Sequence, residues 1–277
     1  MLSTRLLPAA VHTDKPTLVF LHGLLGGGDD WKLVLPYITV HDCLLIDLPG
    51  HGGSVDTLIN GYDSVCKLIS ESIRQSLPPA APIVIIGYSL GARLAMYGLS
   101  YGQFNSLNVI GYMVEAGNFG LVDEKGRQCR LQNDQAWATR FAHQPIKDVL
   151  EKWYCQPVFS SLSEVQRLAL IQERKKNNGK AVANMLMATS LAKQPYLLDK
   201  LMSSNALIHY ICGEKDNKFS ELAKLSGLSF TKVKEAGHNV HHEQPARFAT
   251  LIQQQTNLFL DTSTESGINH GKNSRNY

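Results

Sequence analysis

The residue with the clearest chemical potential in this sequence is Ser89, which stands in the motif Gly-Tyr-Ser-Leu-Gly at residues 87–91. An apolar run at 81–86 precedes the motif, and a helix-forming stretch at 92–96 follows it. A Gly-x-Ser-x-Gly motif between a buried strand and a helix is typical of a nucleophile elbow, a tight turn that exposes a reactive serine. The two glycines and the small Ala92 leave room for such a turn. The pattern therefore predicts that Ser89 is catalytic.

A serine hydroxyl reacts at neutral pH only when a neighbouring base takes its proton, so a histidine is required. In enzymes with a serine elbow, the acid and then the histidine follow the serine along the chain. His238 lies in a loop with the sequence Ala-Gly-His-Asn, just after the short apolar stretch 228–230, and is the predicted base. His241 and His242 are alternatives, but they begin a helical segment, where polar first-turn residues are the simpler interpretation. His209 lies inside a strand-like run and is expected to pack or hydrogen-bond there.

The acid that orients the histidine should follow the carboxyl end of a strand. Asp216 comes shortly after the strand-like run 206–212 and is predicted to orient His238. Glu214 is close enough in sequence to be an alternative. Glu115, which ends another strand-like run, is a second alternative, because an acid on the neighbouring strand can also reach the histidine.

Two backbone N–H groups must hold the negative oxygen that forms during serine-dependent catalysis. Leu90, directly after the serine, is predicted to supply one, and Leu24, in the glycine-rich loop 23–28, the other. Glycine clusters can also bind phosphate, but the sequence has neither G-x-x-x-x-G-K-[ST] nor G-x-G-x-x-G. A further buried run at 44–48 ends in a tight Pro-Gly-His-Gly-Gly turn. These motifs, in this order, predict the α/β-hydrolase fold.

The distribution of strand-like runs indicates how the chain is organised. Such runs occur at 17–22, 42–47, 82–87, 108–114 and 206–212. Helical patterns between the early runs predict a mostly parallel central sheet flanked by helices. Residues 119–204 contain no strand-like run and are predicted to form a helical cap inserted into a core of 1–118 and 205–261. The polar segment 262–277 is predicted to be a disordered tail.

Composition limits the class of protein. The 277 residues are 44% hydrophobic and 18% charged, enough for one large core with a lid. A net charge of +3 gives no indication of a nucleic-acid partner. The five cysteines show no C-x-x-C spacing, so neither a disulfide framework nor a zinc site is predicted. The apolar part of the N-terminus is short for a signal peptide, and no run approaches the ~18 apolar residues of a membrane span, so we expect a cytoplasmic protein.

Several segments resemble one family within this fold, the 2-succinyl-6-hydroxy-2,4-cyclohexadiene-1-carboxylate (SHCHC) synthases, or MenH enzymes, of menaquinone (vitamin K2) biosynthesis. The segments are 87–93, 153–159, 177–179, 185–191 and 212–219. The resemblance extends to about residue 260. The family usually has two glycines after the Ser-Leu pair, whereas this chain has Ala92 at the second position.

The resemblance implies a lyase that eliminates pyruvate from 2-succinyl-5-enolpyruvyl-6-hydroxy-3-cyclohexene-1-carboxylate. Ser89 would act as a general base activated by its triad, with no metal or organic cofactor. The alternatives are a serine hydrolase of esters or thioesters, a carbon–carbon bond hydrolase and a binding protein without activity. The oligomeric state is left open.

The implied substrate is a small molecule with three carboxylates, for which planar, permanently charged arginines are the expected ligands. By resemblance, the substrate-binding residues are Arg93, Arg130, Arg174 and Trp153. The residues alone do not separate Arg130 from Arg127, and a solvated surface charge is the alternative for any one arginine. Tyr88 is predicted to offer its hydroxyl to a substrate carboxylate, with packing under the cap as the alternative.

Overall fold

The computed structural model describes the backbone of residues 1–11 and 13–272, and the side chains of these residues through 263. Its strands are β1 (Thr4–Leu7), β2 (Thr17–Leu21), β3 (Cys43–Ile46), β4 (Pro82–Tyr88), β5 (Asn108–Glu115), β6 (Ile208–Gly213) and β7 (Ser229–Val233). They form one sheet in the order β1-β3-β2-β4-β5-β6-β7. Only the pair of β1 and β3 is antiparallel. The predicted mostly parallel sheet of an α/β-hydrolase fold is therefore confirmed.

The central strands follow from their composition. Strands β2 and β3 are buried along their whole length, because a parallel sheet is covered on both faces and selects continuous apolar runs. The five predicted runs correspond to β2 through β6. Strands β1 and β7 lie at the two edges and are only partly buried, so neither has the apolar run from which a strand can be predicted.

In the described part of the chain, ten α-helices connect the strands and form the cap. They are α1 (Tyr62–Ser76), α2 (Leu90–Ser100), α3 (Glu124–His143), α4 (Ile146–Trp153), α5 (Glu164–Arg174), α6 (Gly179–Ala188), α7 (Leu198–Met202), α8 (Asn217–Ser226), α9 (Val240–Glu243) and α10 (Pro245–Lys272). Helix α2 packs on β4 and β5, α8 on β6, and α10 on β5. No helix of the described residues is both long and apolar enough to cross a membrane.

The last helix differs from the sequence-based expectation. Helix α10 continues over 262–272, where the polar composition predicts disorder, and residues 273–277 lie outside the described residues. Two hydroxyl side chains are satisfied within the helix: Thr262 donates to the Leu258 carbonyl at 2.9 Å and Ser263 to the Phe259 carbonyl at 2.7 Å. Polar side chains that bond to the preceding turn are compatible with a helix, although they lower its intrinsic propensity.

Two hydrophobic clusters lie in the molecule, one on the sheet and one within the cap. The cap cluster brings together side chains of α3, α4, α5 and α6, such as Phe141, Leu150 and Leu170. Helix α7 belongs instead to the sheet cluster, through Leu197 before it and Leu201 within it. The cap thus has an interior of its own, while the boundary expected at residue 204 stays a prediction.

Candidate active site

Ser89 occupies the turn between β4 and α2 in a strained backbone conformation, with φ 48° and ψ −102°. This left-handed region is uncommon for a residue with a side chain and occurs where the surrounding structure enforces it. The Ser89 N–H donates to the Glu115 carbonyl at 2.8 Å, and the Ser89 carbonyl accepts from the Arg93 N–H at 3.0 Å. The turn is therefore held by the sheet on one side and the helix on the other, as predicted for a nucleophile elbow.

Small residues allow the chain to pass so close to itself. A Cβ atom on Gly91 would lie 2.0 Å from the Leu21 carbonyl oxygen, and one on Gly87 would lie 2.6 Å from the Ala92 nitrogen. The methyl group of Ala92, which stands where the family usually has glycine, faces Gly117. A Cβ on Gly117 would lie only 2.8 Å from the Ala92 Cβ. Alanine is tolerated at position 92 because its neighbour has no side chain.

Asp216 and His238 form a nearly buried pair, with His238 Nδ1 2.8 Å from Asp216 Oδ2. The other Asp216 oxygen accepts from the Phe219 N–H at 3.2 Å and caps α8, which fixes the carboxylate. A carboxylate can only accept, so Nδ1 carries the proton and Nε2 has a free lone pair. This geometry is the one predicted for a base and its orienting acid.

The loop that carries His238 is held by Glu243, a residue that the sequence did not single out. Its carboxylate accepts from the Gly237 N–H at 3.0 Å and from the Asn239 N–H at 3.2 Å, one residue on each side of the histidine. The loop also passes close to the end of β6, because a Cβ on Gly213 would lie 2.1 Å from the Gly237 carbonyl oxygen. A carboxylate five residues downstream of a candidate histidine is the only signal that sequence offers for this role.

The hydroxyl of Ser89 and the imidazole of His238 line the same cavity, whose volume is about 490 Å³. Among the described residues, no hydrogen bond joins these two side chains. In enzymes without substrate, catalytic hydrogen bonds are often long and tighten only when the substrate binds. The two residues thus share one cavity, and proton transfer between them stays a prediction.

Glu115, the alternative acid, pairs with a different histidine. Both oxygens of its carboxyl group lie 2.9 Å from His241 Nδ1, and both side chains are fully buried. Burial raises the pKa of Glu115 to about 8 and lowers the pKa of His241 to about 3. His241 lies in the first turn of α9, as the sequence-based interpretation expects, but it is buried there and pairs with Glu115. His209 bonds to Ser229 and Thr231, both at 2.9 Å, as expected.

The loop that follows β2 is positioned by two neutral histidines. His51 Nε2 accepts from the Leu25 N–H at 3.0 Å, and His22 Nδ1 donates to the Gly23 carbonyl at 2.7 Å. Burial lowers the pKa of His51 to about 3, which keeps it neutral and able to accept. No hydrogen bond within the described residues uses the N–H of Leu24 or Leu90. Both amides are thus free for the oxyanion role predicted for them.

The cavity beside Ser89 has cationic walls. Arg130, Lys215 and Lys218 line it, and only Arg130 is a predicted ligand. Arg130 Nε donates to Asp134 Oδ1 at 2.8 Å, and the almost fully buried Asp134 also accepts from the Ser190 hydroxyl at 2.7 Å. A buried carboxylate therefore orients this arginine. The two lysines were missed because each stands among other polar residues in a loop or first helical turn.

Aromatic side chains complete the cavity. Trp153, predicted to face the site, lines it, and its ring packs edge-on against Trp137 at 5.0 Å between centroids. Phe159 of the cap and Phe219 of α8 also line it, with centroids 6.0 and 4.8 Å from the His238 ring. Their apolar surfaces limit water around the imidazole.

The structure places Arg93 away from this cavity. Its guanidinium donates to Gln194 Oε1 and to the Thr189 carbonyl, each at 2.6 Å, and contacts the Tyr62 hydroxyl. These bonds tie α2 to the end of the cap. Arg127 has a similar role, because it donates to the Gln194 carbonyl at 3.0 Å. Of Arg127 and Arg130, the second is therefore the one at the cavity, and the binding role of Arg93 stays a prediction.

Arg174 is buried in an ion pair with Asp30 and lines a separate cavity of about 590 Å³. Burial alone would raise the pKa of Asp30, but the charge and hydrogen bond of Arg174 outweigh it and hold this pKa at about 2. Tyr88 is also buried, with its ring between those of His238 and His241 at 5.5 and 4.5 Å. These contacts favour packing for Tyr88, and substrate binding by either residue stays a prediction.

One group of described side chains has the composition of a metal site. Ligand atoms of Asp30, His241 and His242 lie within 4.8 Å of one another. Asp30 is already paired with the buried guanidinium of Arg174, whose positive charge would repel a metal cation bound to the same carboxylate. The donor set therefore does not suit a metal, and the absence of metals and cofactors from the reaction stays a prediction.

The strand order, the strained serine turn and the inserted cap define the class of α/β-hydrolase-fold proteins. A family model described as the alpha/beta hydrolase family matches residues 18–251. An SHCHC synthase of Photorhabdus laumondii is 42% identical over 248 residues, which cover 90% of this chain and 88% of that protein. One of Yersinia enterocolitica is 43% identical over 245 residues, or 88% of each protein. The chain belongs to the alpha/beta hydrolase family and, within it, to the SHCHC synthases.

Solved structures support the same fold. MenH from S. aureus superposes with a TM-score of 0.84 at 24% identity, covering 93% of this chain and 98% of that one. A thermophilic esterase from Thermogutta terrifontis superposes with a TM-score of 0.74 at 17% identity, covering 93% of each chain. At these identities the two structures establish the fold alone.

Proposed function

We propose that this protein is a lyase of menaquinone biosynthesis that eliminates pyruvate from 2-succinyl-5-enolpyruvyl-6-hydroxy-3-cyclohexene-1-carboxylate to give SHCHC. The observation that carries the proposal is the cavity beside Ser89 and His238, whose walls hold Arg130, Lys215 and Lys218. A substrate with three carboxylates requires such walls, because guanidinium and ammonium groups replace the water that its charges lose on binding. The relatives are named as synthases of the product of this reaction, SHCHC.

The reaction begins with a proton relay. Asp216 accepts from His238 Nδ1 and fixes the tautomer in which Nε2 takes the Ser89 proton. The Ser89 oxygen then removes the ring proton next to the succinyl ketone. The carbon–hydrogen bond breaks, and its electrons form an enolate.

The remaining electrons move within the substrate. The enolate oxygen is held by the N–H groups of Leu24 and Leu90, and donors of this kind contribute ~3 kcal/mol each in acyl-transfer enzymes. As the enolate collapses, the ring alkene shifts and the carbon–oxygen bond to the enolpyruvyl group breaks. The leaving group departs as the enolate of pyruvate, and the proton on His238 is transferred to its methylene carbon, which gives pyruvate and returns His238 to its neutral form. The electron sink and the leaving group both belong to the substrate.

A serine hydrolase of esters or thioesters is the alternative, since it would use the same residues through an acyl-enzyme. A neutral acyl group is best bound by an apolar pocket, whereas this cavity carries cations. Comparing p-nitrophenyl ester turnover with pyruvate release separates the two activities. Fast ester cleavage without pyruvate release would favour the hydrolase.

Ser89→Ala tests the proposal directly. We expect substrate binding to change little and turnover to fall by several orders of magnitude, because the group that removes the ring proton is lost. The measurement couples the protein to the upstream synthase and follows pyruvate together with the absorbance of the conjugated diene. Near-normal pyruvate release by the variant would refute the role of Ser89 as the base.

A further inference from the structure

Of the three cations that line the cavity beside Ser89, two reach it from different helices. Arg130 lies on the cap helix α3, and Lys218 lies in the first turn of α8, two residues after Asp216. Sequence resemblance points to Arg130 alone. Lys218 has no assigned role, and its position beside the catalytic acid makes it the more informative of the two.

Lys218 is placed close to the reacting groups. Its ammonium lies 5.5 Å from the centre of the Phe219 ring, and that ring lies 4.8 Å from the His238 ring. Within the described part of the chain, Lys218 Nζ makes no ion pair or hydrogen bond. The aromatic face supports the ammonium without neutralising it.

The donors of Arg130 are also only partly used. Its Nε is bound by Asp134, whereas its two terminal nitrogens make no hydrogen bond to any described residue. Asp134 is nearly fully buried, whereas the side chain of Arg130 is about one-third exposed and lines the cavity. The Nε of Arg130 is therefore fixed by Asp134, and its two terminal nitrogens are available to a ligand in the cavity. A carboxylate can bind such nitrogens through directed, charge-assisted hydrogen bonds.

The two cations influence each other. Burial and the positive charge of Arg130 lower the pKa of Lys218, and the charge of Asp216 only partly opposes this shift. Two like charges on one cavity are unfavourable unless an anion lies between them. Asp216 itself is bound to His238, so it does not provide that anion.

We propose that Lys218 and Arg130 together form a subsite that binds one carboxylate of the substrate across the boundary between core and cap. The inference rests on the proposed function and adds to it a binding residue of the core. A carboxylate held there lies beside the imidazole of His238 and bridges α8 and α3. The group bound at this subsite is a carboxylate. The substrate carries one carboxylate on its succinyl arm, one on its enolpyruvyl arm and one on its ring.

The test uses Lys218→Gln, with Lys224→Gln as the matched control. Lys224 lies on the same helix, is exposed, and pairs with Glu221 outside the cavity. Sodium succinate and sodium pyruvate serve as probes in calorimetric titrations of the full chain. We expect Lys218→Gln to weaken binding of at least one probe about tenfold, the size expected for a hydrogen bond to a charged group, and Lys224→Gln to change neither.

Steady-state kinetics provide a second measurement that a purely structural role would not affect. Lys218→Gln should raise KM with little change in kcat, and Lys218→Arg should restore much of the affinity. If only succinate binds more weakly, the subsite binds the carboxylate of the succinyl arm. If only pyruvate binds more weakly, it binds the carboxylate of the enolpyruvyl arm. Unchanged binding of both probes with an unchanged KM would overturn the inference. A wild-type protein that releases no pyruvate would instead overturn the proposed function.

Discussion

Two carboxylate–imidazole pairs lie near the serine turn, and their surroundings give them different chemistry. The pair of Asp216 and His238 lines the same cavity as Ser89, so the imidazole faces the space that a substrate would occupy. The pair of Glu115 and His241 is fully buried. Burial raises the pKa of Glu115 to about 8, so its carboxyl favours the neutral form at neutral pH. The first pair is suited to proton transfer and the second to holding the elbow in place.

Asp216→Asn tests this difference. Asparagine occupies the same volume but does not favour the required imidazole tautomer or stabilise the imidazolium, so kcat should fall roughly 10³- to 10⁴-fold, as in serine proteases. Glu115→Gln is the matched control, and its kcat should stay within a few-fold of the wild type. Stopped-flow detection of the diene gives both values. A small effect at Asp216 would exclude it as the orienting acid.

The buried ion pair of Arg174 and Asp30 makes a separate prediction about stability. Arg174→Gln leaves a buried carboxylate without its partner and should lower the free energy of unfolding by about 3–5 kcal/mol. Adding Asp30→Asn removes that charge, so the double variant should recover a large part of the loss. Urea unfolding of the single and double variants checks this. If the two losses simply add, the pair is not coupled.

The positions of site residues that depend on the neighbouring chain could be predicted from sequence. The contacts of long side chains such as arginine and lysine could not. Ser89 directly follows β4 and Asp216 comes three residues after the end of β6, so their positions could be predicted from the chain around them. Arg93 is satisfied by groups about a hundred residues away, at Thr189 and Gln194. The residues next to Arg93 in sequence do not show whether its guanidinium bonds to these distant groups or faces the substrate. Lys218 was missed because the residues next to it in sequence do not show that its ammonium faces the cavity.

At the scale of elements, the junctions between strands and helices determine the site. Strand β4 must turn into α2 within one residue, and α2 must pass against the end of β2. The central strands were predictable because each is a continuous buried run. The edge strands β1 and β7 were not, since their exposed faces allow polar residues.

Gly91→Ala tests how tightly this junction is packed. The new methyl carbon would lie 2.0 Å from the Leu21 carbonyl oxygen, and backbone cannot move aside as a flexible side chain can. We expect a loss of stability at or above the upper end of the ~1–3 kcal/mol usual for overpacking, together with loss of activity. In Gly27→Ala the added carbon would meet only Asp47 Oδ1, at 3.5 Å, an ordinary contact. Thermal unfolding of the two variants should differ clearly, and equal melting temperatures would contradict the packing described.

At the scale of the whole molecule, buried titratable groups set how stability depends on pH. Burial holds the pKa values of His51, His241 and His242 at about 3, below the 6.5 of an exposed histidine. Unfolding therefore takes up protons at these three sites as the pH falls below about 6.5. Glu115 acts in the opposite direction, because its folded pKa of about 8 exceeds the ordinary 4.5 and unfolding releases its proton between these values.

The free energy of unfolding should therefore be highest near pH 6.5. Between about pH 6.5 and 4.5, unfolding takes up protons at these three histidines and at His209, whose pKa burial lowers to about 4, and it releases one proton at Glu115. Stability should therefore fall by up to about 4 kcal/mol per pH unit on acidification. Between pH 6.5 and 8 it should decline more gently, because only Glu115 titrates there among these groups. Urea unfolding from pH 4 to 9 measures the curve, and Glu115→Gln should remove the alkaline decline. A maximum above pH 8 would contradict this account.

The separate interior of the cap has a consequence for how such a protein can change over evolutionary time. The cap enters the chain between β5 and β6 and packs largely on itself. An insertion that supplies its own packing can be exchanged for another while the scaffold beneath keeps its hydrogen bonds. A protein of this kind can then acquire a new substrate through replacement of its cap, while Ser89, Asp216 and His238 of the core stay the same. Grafting a foreign lid onto this scaffold is accordingly a practical route to redesign.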